Sequence, residues 1–180
     1  MNCPELKTNN YRLRAFETKD LNRFAQYRAQ KSVAQYQSWS DYTYQDAVAL
    51  FESTDYFRFA VVGQWYQLAI ALQDSDELVG DLAVHFIDDE QVELGFTVAP
   101  DFQGQGVATE AASALLAYLF SELGKHRVVA TTDANNVASY SVLEKLGFRR
   151  EAHFIQNIFF KGAWGDEYQY ALLSSESKFK

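Results

Sequence analysis

The extended, β-rich run Val92-Glu-Leu-Gly-Phe-Thr-Val-Ala-Pro100 leads through a tight turn, Gln103-Gly-Gln-Gly-Val-Ala108, straight into an alanine- and leucine-rich helix. Glycine lets the backbone approach a ligand closely, and the first turn of a helix has N–H groups with no partner of their own. The positive end of the helix dipole adds attraction for an anion. This juncture therefore predicts a socket for a phosphate or pyrophosphate. A nucleotide P-loop would need Gly-Lys-Ser/Thr, and no lysine occurs between Lys31 and Lys125. A dinucleotide fingerprint would need a third glycine, where this chain has Thr109, and an acidic residue earlier than Asp133.

Downstream, Arg127-Val-Val-Ala-Thr-Thr-Asp133 reads as a buried strand. Asn136 is placed to cap a helix whose apolar face is Val142, Leu143 and Leu146 and whose stop is Gly147. Upstream, Tyr11–Phe16 reads as a strand, and Thr18 as the cap of a helix through Leu21, Phe24, Ala25 and Arg28. A loop from Val33 to Tyr42 follows, and Thr43 with Asp46 forms a capping-box variant. The segment from Asp55 to Gln64 has no clear period. Trp65–Leu72, Leu78–Ile87 and Gln91–Val98, separated by polar turns, predict an antiparallel meander. The helix from Gly106 to Leu123 carries Ala108, Ala112, Leu115, Leu119 and Leu123 as its packing stripe, and Ala152–Phe160 and Glu167–Leu173 predict two last strands.

The turn resembles the Gln/Arg-x-x-Gly-x-Gly/Ala signature of the GNAT N-acetyltransferases, matched by Gln103, Gly106 and Ala108. Asp133-x-x-Asn136-x-x-Ser139, Leu143-Glu-Lys-Leu-Gly-Phe148 and Trp164-Gly-Asp-Glu-Tyr-Gln-Tyr-Ala-Leu-Leu173 resemble the branch that acetylates ribosomal-protein N-termini, the RimJ/RimL-like enzymes. The resemblance runs from about Tyr11 to Leu173. It implies an α/β (α+β) fold with a central mixed, mostly antiparallel sheet flanked by helices. Residues 11–174 then form one domain, between an N-terminal extension (1–10) and a C-terminal tail (175–180).

It further implies acetyl-coenzyme A as co-substrate, no metal, and an amine acceptor. The pantetheine arm is expected along Phe96, Thr97 and Val98, whose backbone supplies an oxyanion-hole donor. The pyrophosphate falls to Gln103, Gly104, Gln105, Gly106, Val107, Ala108 and Thr109. Asn136 is expected to bond the pantetheine, and Ser139 to bind there and protonate the departing sulfur, with Tyr140 as the fallback because Leu143 stands where many GNAT enzymes have tyrosine. Glu93 is the expected general base, with Asp166, Glu167 and His85 as competitors. Tyr36, Gln37 and Trp39 are expected to contact the acceptor, whether a protein N-terminus, an aminoglycoside or a polyamine. A noncatalytic acyl-coenzyme A sensor on the same fold is the alternative, and either a monomer or a homodimer suits the resemblance.

The formal net charge of -8 argues against nonspecific nucleic-acid binding, which needs a basic face. No apolar run approaches the length of a membrane span, and the N-terminus lacks the basic-then-apolar pattern of a signal peptide. A single cysteine, Cys3, has no intramolecular partner, so a reducing, cytoplasmic setting is expected, with Cys3 incidental on a mobile terminus.

Overall fold

The computed structural model describes residues 1–179. Eight strands form one sheet in the order β1-β2-β3-β4-β5-β6-β8-β7. They are β1 (Leu6–Lys7), β2 (Tyr11–Ala15), β3 (Trp65–Leu72), β4 (Leu78–Phe86), β5 (Gln91–Val98), β6 (Arg127–Asp133), β7 (Arg149–Phe160) and β8 (Ala163–Leu173). Every neighbouring pair is antiparallel except β5–β6. The helices are α1 (Leu21–Arg28), the four-residue α2 (Lys31–Ala34), α3 (Tyr44–Ser53), α4 (Val107–Ser121) and α5 (Val137–Leu146). This is the mixed, mostly antiparallel α/β architecture expected from the sequence. Among the described residues, no helix is long and apolar enough to cross a membrane.

Strand alternation sends side chains to two cores. On β3, Leu68 and Ile70 join α4 and α5 on one face, while Ala69 joins α1 and α3 on the other. The α4 stripe is fully enclosed at Ala111, Ala112, Leu115, Leu116 and Leu119. Each buried leucine of this kind contributes about 1.5–3 kcal/mol, so packing overrides the modest propensity cost of the glycine entry. The helix stops at Ser121, and Leu123, expected on its stripe, packs against the same core from the following turn.

Several expectations shift for electrostatic reasons. Thr18 does not cap α1: the Arg14 guanidinium grips Asp20 through two bonds of 2.7 and 3.0 Å, and Asp20 accepts the Glu17 N–H at 2.8 Å. That fixes a turn of 3-10 helix at Thr18–Asp20 ahead of α1. Asp46 accepts the Thr43 N–H at 2.8 Å, and the Thr43 hydroxyl accepts the Asp46 N–H at 3.2 Å, so the α3 capping box forms as read. Residues 1–10 are joined to the sheet: β1 pairs with β2, the Cys3 N–H donates to the Tyr56 carbonyl at 2.7 Å, and Phe59 N–H donates to Met1 O at 2.8 Å. These bonds also organise the segment from Asp55 to Gln64, where Phe59 is buried against Tyr66 and Phe86.

Among the described residues, the least exposed charged side chain is that of Asp81 on β4, 1 % exposed. It accepts from Arg28 Nη2 at 2.8 Å, from the Tyr27 hydroxyl and from Gln67 Nε2. Burial, reinforced by the adjacent carboxylate, holds the Tyr27 phenol well above its usual range, so it stays a donor. The Arg28 guanidinium is also flanked by the Phe24, Trp39 and Tyr42 rings at 4.2, 4.2 and 5.3 Å.

Asp81→Ala leaves Arg28 buried without its counter-charge, and a loss of about 3–5 kcal/mol in denaturant unfolding is expected; a change under 1 kcal/mol would show that the cluster is not structural. Burial pushes the Cys3 thiol up to about 12. In the folded protein at pH 8 it should react with a disulfide reagent on the order of 10³-fold more slowly than free cysteine, and at the ordinary rate once the chain is unfolded.

Candidate active site

A sheet whose two halves have different partners can part in the middle. The parallel β5–β6 ladder holds for three pairs, Gln91↔Arg127, Val92↔Val128 and Glu93↔Val129. Beyond it, β5 follows β4 to Val98 and β6 follows β8 to Asp133. Along Leu94–Val98 and Ala130–Asp133 the facing backbone groups therefore lack a strand partner across the gap. Both stretches line one cavity of about 980 Å³.

The glycine turn forms its next wall. Gly104 and Gly106 have φ of 74° and 81°, a region that side chains with a Cβ enter at a cost of about 1–2 kcal/mol. Nothing lies within 4 Å of where a Cβ on either would sit, so the glycines are required by backbone conformation and leave open space beside the turn. Gly106 caps α4, whose first intrahelical donor to it is Glu110 N–H, so the N–H groups of Val107, Ala108 and Thr109 lie free of the helix ladder. The carboxylate of Glu110, in this same first turn, is held by the Asn10 backbone and side chain at 2.8 and 2.9 Å. Gln103 Nε2 donates to Val98 O at 3.0 Å and ties the turn to the end of β5.

The third wall is the start of α5. Asn136 Oδ1 accepts the Ser139 N–H at 3.2 Å, the predicted cap, and Gly147 ends the helix at φ 97°. Asn136, Ser139 and Leu143 all line the cavity. A fourth wall comes from Gln35, Tyr36, Gln37 and Ser38, with the Tyr36 hydroxyl donating to Asn135 O at 3.2 Å.

Phe96, Thr97, Val98, Gln103, Gly104, Gly106, Val107, Ala108, Thr109, Asn136, Ser139, Tyr36 and Gln37 are thus brought together. Four other candidates lie outside that lining. Glu93 sits in the last paired rung of the β5–β6 ladder, its carboxylate 3.7 Å from His85 Nδ1, outside the cavity lining. Tyr140 turns onto Tyr168 at 5.8 Å between ring centres. The Gln105 side chain bonds back to Asp101 O at 3.0 Å. Trp39 stands behind the fourth wall, its Nε1–H donating to Arg28 O at 2.9 Å. Of the competing acids, Asp166 is occupied by the Gln156 N–H and His153 Nε2 at 2.8 and 2.7 Å, and these bonds keep its pKa low.

Of the cavity's charges, Lys145 was not singled out in the sequence. The lining holds two carboxylates, Asp133 and Glu167, and one cation, Lys145, among the described residues. Asp133 and Glu167 are directly paired across β6–β8, and Glu167 Oε2 accepts from Asn157 Nδ2 at 2.6 Å. Among the candidate acids, Glu167 is brought to the cavity by the β6–β8 register. No local signal marks Ile158 or Phe160, which reach the cavity because β8 inserts between β6 and β7.

Residues 10–149 match the acetyltransferase (GNAT) domain family. An uncharacterized N-acetyltransferase of Bacillus subtilis (strain 168), YnaD, is 33% identical over 175 residues, covering 95% of this chain and 98% of the relative. The crystal structure of a GNAT-family acetyltransferase from Bacillus anthracis superposes with a TM-score of 0.87 at 30% identity, over 96% of this chain and 100% of that one. RimL, a ribosomal L7/L12 α-N-protein acetyltransferase solved in complex with coenzyme A, shares the fold at a TM-score of 0.78 and 20% identity, over 94% and 98% of the two chains.

Proposed function

The chain belongs to the GNAT N-acetyltransferases, and we propose that it carries an acetyl group from acetyl-coenzyme A to a primary amine by direct attack in a ternary complex, the amine being the N-terminus of a protein. The observation that carries this reading is the gap between β5 and β6, with unpartnered backbone on both sides and an anion socket at the start of α4.

The residues present fit the co-substrate. The free N–H groups of Val107, Ala108 and Thr109, approached through Gly104 and Gly106, suit a pyrophosphate, and Lys145 adds a cation for a phosphate. The Leu94–Val98 edge can bond an extended amide-bearing arm as a further strand would. Asn136 has its carbonyl oxygen committed to the helix cap, leaving its NH₂ as the donor toward that arm. Acetyl-coenzyme A supplies a thioester, whose carbonyl is the electrophile and whose sulfur departs as a thiolate.

The chain supplies proton management and orientation. A backbone N–H within Phe96–Val98 faces charge developing on the carbonyl oxygen. The Ser139 hydroxyl, positioned by the Asn136 cap, delivers a proton to the sulfur and regains one, through water, from the nitrogen of the newly acylated amine. Glu167, held by Asn157 and paired with Asp133, takes the place expected of Glu93: it draws an ammonium toward the cavity and accepts the proton the amine must lose. Two carboxylates and one lysine give this lining the polarity a cationic acceptor requires.

Calorimetric titration with acetyl-coenzyme A should give saturable 1:1 binding on the order of micromolar, roughly -8 kcal/mol. Gly106→Asp should abolish it in a protein that still folds; normal affinity in that variant would remove the phosphate assignment. Ser139→Ala and Glu167→Gln should each retain binding while lowering kcat by about 10²-fold, measured as thiol release with an N-terminal peptide and with spermidine as acceptors. Unchanged turnover in either variant excludes that residue from proton transfer, and turnover with spermidine alone would replace the protein acceptor by a polyamine.

A further inference from the structure

The wall formed by Gln35, Tyr36, Gln37 and Ser38 belongs to no helix or strand. It follows α2, whose four residues are too few to hold themselves in place. Its two flanking residues are fixed from behind: Ala34 is buried, and Trp39 stacks over Arg28. One side chain reaches both from the front. Lys161 Nζ donates to the Ala34 carbonyl and, at 2.8 Å, to the Trp39 carbonyl, bracketing the four wall residues.

Lys161 is unusual in its own backbone. It forms with Gly162 the two-residue turn between β7 and β8, where Phe160 pairs with Ala163 and both turn residues have positive φ, 49° and 86°. Such a turn favours asparagine, aspartate or glycine at its first position, and lysine takes up that conformation at a cost. At the turn the ammonium meets only the Phe160 ring, 5.2 Å from its centre, whereas the wall has two carbonyls for it to hold. The hairpin bearing Lys161 also contributes Ile158, Phe160 and Glu167 to the cavity. One ammonium thus joins the loop wall to the hairpin that carries Glu167, beside the Tyr36–Asn135 bond that joins the wall to the approach to α5.

We infer that Lys161 is a positioning residue for the amine acceptor, strapping the 35–38 wall to the β7–β8 hairpin so that the wall and Glu167 face the same amine. The inference rests on the amine-acceptor reading of this cavity. It places no role on Lys161 in binding the coenzyme, whose proposed contacts lie on β5, α4 and α5.

The test uses the full chain carrying Lys161→Met, with Lys161→Arg as the conservative variant. Hydrogen exchange of backbone amides, with no ligand added, should be about 10-fold faster across residues 31–40 in the methionine variant and unchanged in α4 and β5. In steady state, KM for the peptide or spermidine acceptor should rise about 10-fold while KM for acetyl-coenzyme A stays within about twofold, and arginine should restore part of the loss. Unaltered exchange in residues 31–40 overturns the strap. Faster exchange with an unchanged acceptor KM, or equal rises in both KM values, overturns the positioning role. If the wild-type protein acetylates neither probe, the amine-acceptor reading fails and takes the positioning role with it, while exchange still decides the strap.

Discussion

The rest of the structure depends on a hydrogen-bonding constraint: backbone N–H and C=O groups taken from water must find partners. Between β5 and β6 that requirement is met for three residue pairs and then suspended. It can be suspended because each strand has a complete ladder on its other side, β5 with β4 and β6 with β8. The result is a gap bordered by backbone groups with no strand partner across it.

Everything at the gap's mouth is arranged by short-range structure supported from a distance. The glycine turn needs two positive φ values and presents α4's first N–H groups. Glu110 would oppose an anion from this same helical turn, yet its carboxylate is bonded to Asn10, a hundred residues away in sequence. The buried Asp81 cluster plays the same supporting part for the loop wall. It holds Arg28, on which Trp39 and Tyr42 stack, so a charge in the core fixes a ring behind the cavity.

Polar residues in this chain divide by how far their partners lie. Thr43 and Asn136 act within three residues, and their caps follow from local spacing alone. Thr18 resembled a cap equally well, but Asp20 was drawn to Arg14, and the ion pair decided where the helix turn begins. Glu93 and Glu167 read alike as strand carboxylates. Register separates them: one falls in the last closed rung of a ladder, the other opposite Asp133 on the cavity wall. Trp39 belongs to the same group, an aromatic whose neighbourhood placed it near an acceptor but whose stacking on Arg28 sets it behind the wall.

The sequence by itself determined the meander, the glycine entry to α4, the Asn136 and Gly147 limits of α5 and the family. Each of these depends on periodicity, steric freedom or hydrogen bonds within a few residues. Tertiary structure alone decided which acids reach the cavity, that β8 inserts between β6 and β7, and that Lys161 meets the backbone of residues 34 and 39. Those outcomes depend on strand order and register, where a shift of one residue moves every side chain to the other face. The last hairpin shows the boundary: the final strand was expected from Glu167, but pairing with β7 starts it at Ala163 and compresses the turn to Lys161-Gly162.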